Sequence, residues 1–276
     1  MTRRCNVAFR DKILNDHVPS FKNDSTELNL MEIIYLLSLN NSGASTISVN
    51  LVRTSLSLVL RGGLLIELAL LGMITLEQRT PRNSSILTRK VIFISSQKTG
   101  DLLLDTTLAK IQKCTNKYNV SQWLNYLSGS SFNIFNVSFQ ITYMRQKIAK
   151  SLVEKGYLQF GFRSLFNMSY NTFDLRDRSK QEELVNIFHK YLSTNASNFS
   201  SNFKDRNSIA IILAHFGEAM FLVLNSLTDA KYNNAMSCLK NAIAENFQLE
   251  SNVNKNESED IMWAVLQCLK GELSPH

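Results

Sequence analysis

Acid–base, nucleophilic and metal chemistry each need particular side chains at particular spacings, and this chain of 276 residues offers them sparsely. Cys5, Cys114, Cys238 and Cys268 lie far apart, with no Cys-x-x-Cys and no pair of histidines at ligand spacing. Neither a metal site nor a disulfide framework is expected, and the four thiols should be reduced and mostly behave as small apolar side chains. Of the four histidines, His215 sits in the apolar stretch IAIILAHFGEAMF and is expected to be buried and hydrogen-bonded to a neighbour, whereas His17, His189 and His276 are expected at the surface. Asp101 and Asp105 stand four apart on one helix face, a spacing that could pair two carboxylates for general acid–base work. A helix N-cap followed by a surface acid explains them equally well. Gly-x-Ser-x-Gly, His-Glu-x-x-His, Walker and dinucleotide-binding motifs do not occur. No catalytic residue and no cofactor is therefore expected.

What remains is the chemistry of anions. Lys and Arg number 30 against 23 Asp and Glu, a net charge of +7, which suits nucleic acid, an acidic membrane face or a phosphorylated ligand. Nucleic acid is not expected, because the chain has no recognisable recognition helix or basic stripe. Two arginines stand out by position. Arg61 lies inside the apolar stretch LSLVLRGGLLIELALLGMITL at 56–76, where it either bonds helix carbonyls beside Gly62-Gly63 or offers its guanidinium to an anion. Arg145 is followed by Lys147 and Lys150; alone, that group reads as an ordinary solvated helix face. The 56–76 stretch approaches membrane-span length, but Arg61, Glu67 and the glycine pair predict instead a buried helix break followed by a core helix at 64–71.

The elements that must position these residues are mostly helical. Ten Gly and three Pro are few for this length, which disfavours turn-rich sandwiches and barrels and predicts a mostly α fold with small β additions. Residues 1–23 read as a polar arm and 24–276 as one globular domain with enough chain to bury a core. The first twenty residues carry Arg3, Arg4, Arg10, Asp11, Lys12 and Asp16 and no apolar run, so a secretory signal is not expected and the cytosol is. Asp24 or Ser25 can cap a first helix whose apolar residues Leu28, Met31, Ile34, Tyr35 and Leu39 recur at helical spacing. A polar loop at 40–50 follows, then a helix to Arg61 and a β-ribbon from 73–77 and 91–95. Helices are predicted at 102–113, capped by Asp101, at 121–127, and at 137–154, closed by Gly156. An apolar hairpin with Tyr157, Leu158, Phe160 and Phe162 comes next, then helices at 180–192, 208–227, 231–246 and 258–270. No repeat of 20 to 50 residues recurs, which leaves one domain of about ten helices.

From about Leu28 the chain resembles the Golgi phosphoprotein 3 family. The resemblance runs through LNLMEIIYLLSL at 28–39, LRGGLLIELALLGMI at 60–74, LTRKV at 87–91, TGDLLLDTTL at 99–108 and WLNYLSG at 123–129. It continues in RQKIAKSLVEKGYL at 145–158, LAHFGEAMFLVLNSLTDAKYNNAM at 213–236 and MWAVL at 262–266. Family members are cytosolic adaptors that bind phosphatidylinositol 4-phosphate on Golgi membranes. In them the headgroup is held by an Arg in the Leu-Arg-Gly block, two Arg three apart at the start of a later helix, and a Trp in the loop before the first of these.

Carried onto this sequence, Arg61 matches the first and Arg145 the second of the pair, whose first member is here Thr142. The Trp position falls on Val49 or Val52. The resemblance therefore implies headgroup contacts from Arg61, Arg145, Thr142 and Val52, with auxiliary charge from Lys147 and Lys150. The 43–52 loop, with Ile47, Val49 and Leu51, would touch lipid. It further implies self-association through the hairpin of Tyr157, Leu158, Phe160 and Phe162. Other implied partners are the short cytoplasmic tails of Golgi glycosyltransferases and the COPI coat, for which Arg3-Arg4 matches an N-terminal arginine cluster. The expected place is the cytosolic face of the Golgi membrane. The departures at Thr142 and at Val49/Val52 keep a second expectation open, a divergent helical scaffold that binds proteins and has lost direct phosphoinositide recognition.

Overall fold

The computed structural model describes residues 28–39, 54–81, 83–130, 134–165, 168–193, 205–249 and 257–273. The arm at 1–23 with Arg3 and Arg4, and the 40–53 stretch with Ile47, Val49, Leu51 and Val52, lie outside the described residues. In chain order the elements are α1 (Leu30–Ser38), α2 (Thr54–Leu70), β1 (Ile74–Leu76), β2 (Val91–Phe93), α3 (Leu102–Lys113), α4 (Val120–Ser128), a 3-10 turn (Ile134–Phe139), α5 (Met144–Glu154), β3 (Leu158–Leu165), β4 (Met168–Leu175), α6 (Ser179–Ser193), α7 (Arg206–Phe216), α8 (Phe221–Asn225), α9 (Asp229–Leu249) and α10 (Glu257–Leu273). The fold is mostly α, as expected. Two antiparallel two-stranded sheets complete the described residues, β1 with β2 (Ile74 opposite Phe93) and β3 with β4 (Leu158 opposite Leu175).

The first helix among the described residues is capped by Asn29; Asp24 and Ser25, the expected caps, lie outside the described residues. The Asn29 side chain accepts the Glu32 N–H at 2.9 Å and the Glu32 carboxylate accepts the Asn29 N–H at 2.9 Å, a reciprocal capping box. The Leu28 carbonyl is meanwhile taken by Arg206 at 3.0 Å, which anchors the chain just ahead of the cap.

The expected break at Gly62-Gly63 is absent: α2 runs unbroken through the pair. Its glycines serve close packing. A Cβ on Gly62 would lie 2.7 Å from Val265 Cγ1 of α10, and one on Gly63 would face Leu213, Met31 and Ile34 at 3.7–3.8 Å. Each glycine costs a helix about 1 kcal/mol relative to alanine, and the approach of three neighbouring helices offsets it. Helix α2 is thereby the buried centre of the molecule, with α1, α4, α7 and α10 packed round it. Trp123, Trp263 and Phe188 are the largest fully buried side chains.

Two predicted helices are each shorter than expected, for one physical reason. The 137–154 stretch is a 3-10 turn followed by α5, whose N-cap residue Tyr143 has φ +54°; the 208–227 stretch divides into α7 and α8 beside Glu218, also at φ +54°. A left-handed residue cannot continue a right-handed helix; Tyr143 does not advertise the first break, whereas Gly217, the C-cap of α7, is a sequence signal for the second. Gly156, at φ +81°, closes α5 as expected.

Candidate functional site

Arg61 projects from α2 toward the C-terminal end of α4, where backbone carbonyls lack helical partners. Its Nε donates to Leu127 O at 2.8 Å, Nη1 to Ser57 O at 2.7 Å and Ser57 Oγ at 2.6 Å, and Nη2 to Ile141 O at 3.2 Å. Of the two sequence readings of Arg61, carbonyl bonding is the one observed: the guanidinium, only 7% exposed, makes such bonds to three segments at once. Four of its five N–H donors are used among the described residues. Burial, and secondarily the nearby Arg145 cation, lower its pKa to about 10, so it stays charged at neutral pH.

The Ile141 N–H returns to Leu127 O at 3.1 Å. This closes the turn that delivers Thr142 and Tyr143 to the surface and Arg145 to the first turn of α5. Met144, Ile148, Ala149 and Leu152 are the buried stripe of α5. Arg145 borders that stripe, is half-buried, and lies close enough to Arg61 to repel it. Thr142 is exposed at the same junction. Lys147 and Lys150 are exposed too, but at 100° per residue they sit about 200° and 140° round the helix from Arg145. The structure thus brings Arg61, Arg145 and Thr142 together and turns Lys147 and Lys150 outward.

Sequence reasoning did not single out Lys110 and Lys113, in the last turn of α3. The Lys110 Nζ donates to Ser138 O, in the 3-10 turn that leads to α5. Burial, then Lys147 and Lys113, push the Lys110 ammonium below its ordinary pKa. The forces acting on Arg61 and on Lys110 are burial and other cations, which marks the local field as positive. No spacing in the sequence links α3 to α5, so only the fold could place these lysines.

Asp101 Oδ1 accepts the N–H groups of Leu103 and Leu104 at 2.7 and 3.0 Å, and Oδ2 accepts from Asn29 at 2.9 Å, making it the N-cap of α3. Asp105 accepts the N–H and O–H of Thr99 at 2.8 Å. Both carboxylates are therefore engaged in capping and turn bonds. His215 is half-buried against Phe216, its pKa lowered by burial and then by Lys240. His189, expected at the surface, is half-buried: α8 packs on α6, and its Nε2 lies 2.7 Å from Val223 O and 3.2 Å from Ser226 Oγ. Cys114, Cys238 and Cys268 are free thiols, with Cys238 buried and the other two partly so.

In the hairpin, Leu158 is buried and Tyr157 half-buried at the base, while Phe160 and Phe162 are 57% and 79% exposed as β3 leaves the body. Phe160 packs against Phe173 across the pair, ring centres 5.4 Å apart and planes tilted by 46°. Among the described residues no helix is long and apolar enough to cross a membrane.

Comparison with known proteins places this geometry in context. Residues 30–248 match the family model described as Golgi phosphoprotein 3. The chain is also similar to a protein of Eremothecium gossypii called vacuolar protein sorting-associated protein 74, at 30% identity over 158 residues. That stretch covers 57% of this chain and 46% of the relative, so the chain matches about half the relative's length.

Proposed function

Because the chain belongs to the Golgi phosphoprotein 3 family, we propose that it is a peripheral adaptor on the cytosolic face of the Golgi membrane. It recognises phosphatidylinositol 4-phosphate and helps sort Golgi glycosyltransferases into COPI vesicles, binding without catalysing a reaction. The observation that carries the headgroup reading is the Arg61–Arg145 pair: two guanidinium groups repel each other in a partly buried junction that opens at exposed Thr142. A phosphate there would relieve the repulsion and gain charge-assisted hydrogen bonds, each on the order of 1.5–3 kcal/mol. Arg145 and Thr142 would make the new bonds. Arg61 would act chiefly by field and position, since most of its donors already serve carbonyls. In this reading Val52 and the Ile47, Val49 and Leu51 loop flank the headgroup, and Lys147 and Lys150 add attraction to an anionic leaflet at about 1 kcal/mol each.

Co-sedimentation with vesicles containing this lipid tests the reading. Wild-type protein should pellet, and Arg145→Ala should weaken binding about tenfold; equal pelleting of the variant would overturn it. The same engagement of Arg61 with carbonyls favours the second reading, a protein-binding scaffold without direct lipid recognition. That reading predicts capture of glycosyltransferase tail peptides by protein that pellets with no phosphoinositide.

The hairpin supports a further role as the self-association element, because exposed Phe160 and Phe162 present apolar area away from the core. A second copy of the chain would cover it.

A further inference from the structure

Tyr143 combines three properties that ordinary surface residues do not share. It is 73% exposed, it is a bulky side chain held at φ +54°, and it starts α5 without a side-chain hydrogen bond to the cap. A large residue in the left-handed region is strained by roughly 1–2 kcal/mol, and such strain points to a use. Glu218, the other non-glycine residue with positive φ among the described residues, differs: its carboxylate accepts from Ser55 Oγ at 3.4 Å.

The surroundings indicate the use. The Lys147 N–H donates to Tyr143 O at 3.0 Å, so Lys147 lies one turn along α5, and Lys150 follows at the next, both exposed. This i, i+4, i+7 stripe faces away from the buried stripe of the helix. Lys110 joins it from α3, near enough to Lys147 to be destabilised by it. Val137, in the turn before α5, is 58% exposed. An amphipathic ring beside several cations, with an exposed valine nearby, is the composition of a surface that settles at the level of lipid headgroups. An acidic protein patch would use the lysines and leave the exposed ring and valine unexplained.

We propose that Tyr143 is the residue this protein inserts into the interfacial layer of an anionic bilayer, with Lys110, Lys147 and Lys150 seated on the leaflet around it. The proposal rests on the lipid reading above and adds a second, outward-facing contact to the inner Arg61–Arg145 pair.

The two native tryptophans, Trp123 and Trp263, are 1% exposed and sit in the core, so a third placed at 143 reports separately. Full-length Tyr143→Trp would be mixed with phosphatidylcholine vesicles with and without phosphatidylinositol 4-phosphate, some carrying bromine on the upper acyl chain. Its signal is compared with wild type. The expected result is a blue shift and bromine quenching of the new tryptophan only with vesicles that contain the phosphoinositide, and Tyr143→Ser binding them about tenfold less tightly. The soluble headgroup, inositol 1,4-bisphosphate, should leave the emission unmoved. A shift with that headgroup alone would assign the residue to the headgroup pocket and overturn insertion. Pelleting without shift or quenching would overturn it while leaving the headgroup reading intact. Absence of pelleting at any lipid composition would remove both readings.

Discussion

Arg61 has a structural role beside the lipid role proposed for it, and the two separate by experiment. Its guanidinium satisfies the Leu127 and Ile141 carbonyls as well as Ser57, so Arg61→Ala should strand buried acceptors and lower stability by about 2–4 kcal/mol in urea unfolding. Arg145→Ala is the second probe of lipid binding, its vesicle binding read beside its own urea unfolding so that lost stability is separated from lost affinity. His215 gives a second prediction at this scale. Its folded pKa lies below the ordinary imidazole value of 6.5, with burial the larger cause and Lys240 the smaller. A depressed imidazole contributes stability that is complete above pH 6.5 and is lost as pH falls below it, because the unfolded chain takes up the proton first. Thermal midpoints from pH 8 to 5 should therefore fall further for wild type than for His215→Gln. Burial raises the Glu67 carboxyl and acts in the opposite direction with pH, but equally in both proteins, so the difference between the curves belongs to His215.

At the scale of elements, the glycine pair of α2 makes two opposite predictions from adjacent positions. Gly62→Ala drives a methyl to within 2.7 Å of Val265 Cγ1, a short branched side chain that is itself fully buried, so it has little room to yield. Overpacking of about 1–3 kcal/mol should outweigh the helix-propensity gain of about 1 kcal/mol. Gly63→Ala meets only ordinary contacts at 3.7 Å and should be neutral to slightly stabilising by the same measurement. The pair also illustrates what sequence reading reaches. Helix α3 and its Asp101 cap were legible to the residue, because propensity, capping and apolar period all agree there. The continuity of α2 was not, because what licenses its glycines is Val265, two hundred residues away. The end at Tyr143 was hidden for another reason, since its left-handed backbone falls on a residue type that rarely adopts it, whereas the break before Glu218 carried a signal in the Gly217 cap that the surrounding apolar period outweighed. In the candidate site the same division holds. Arg61, Arg145 and Thr142 were named from sequence, whereas the acceptors of Arg61, 66 and 80 residues distant, and the lysines of α3 needed the fold.

For the molecule as a whole, the net charge of +7 conceals two populations of charge that do different things. One is internal. Glu32, 1% exposed, accepts from Ser151 and Lys155 at 2.7 Å as well as closing its capping box. Glu67, equally buried, accepts the Leu30 N–H at 2.9 Å and receives the Arg206 guanidinium at 2.9 and 3.1 Å. Arg89 bonds Glu77 O and meets Asp260 at 2.6 Å, fastening the β-ribbon to α10. The bonds of Glu32 and Glu67 join the start of α1 to α5, α2 and α7, elements far apart in the chain. The other population is the outward pair Lys147 and Lys150, with partly buried Lys110 beside them. The Glu67–Arg206 pair tests the division. Arg206→Met leaves a carboxylate uncompensated in the core and should cost about 3–5 kcal/mol, whereas Arg206→Met with Glu67→Met removes both charges and should recover most of that loss. Urea unfolding of the four proteins in the cycle gives the coupling, and additive single losses would contradict it. Because the pair touches the proposed lipid face nowhere, the double variant should also bind phosphoinositide vesicles like wild type. If it bound them less tightly while fully folded, the separation of internal from outward charge would fail.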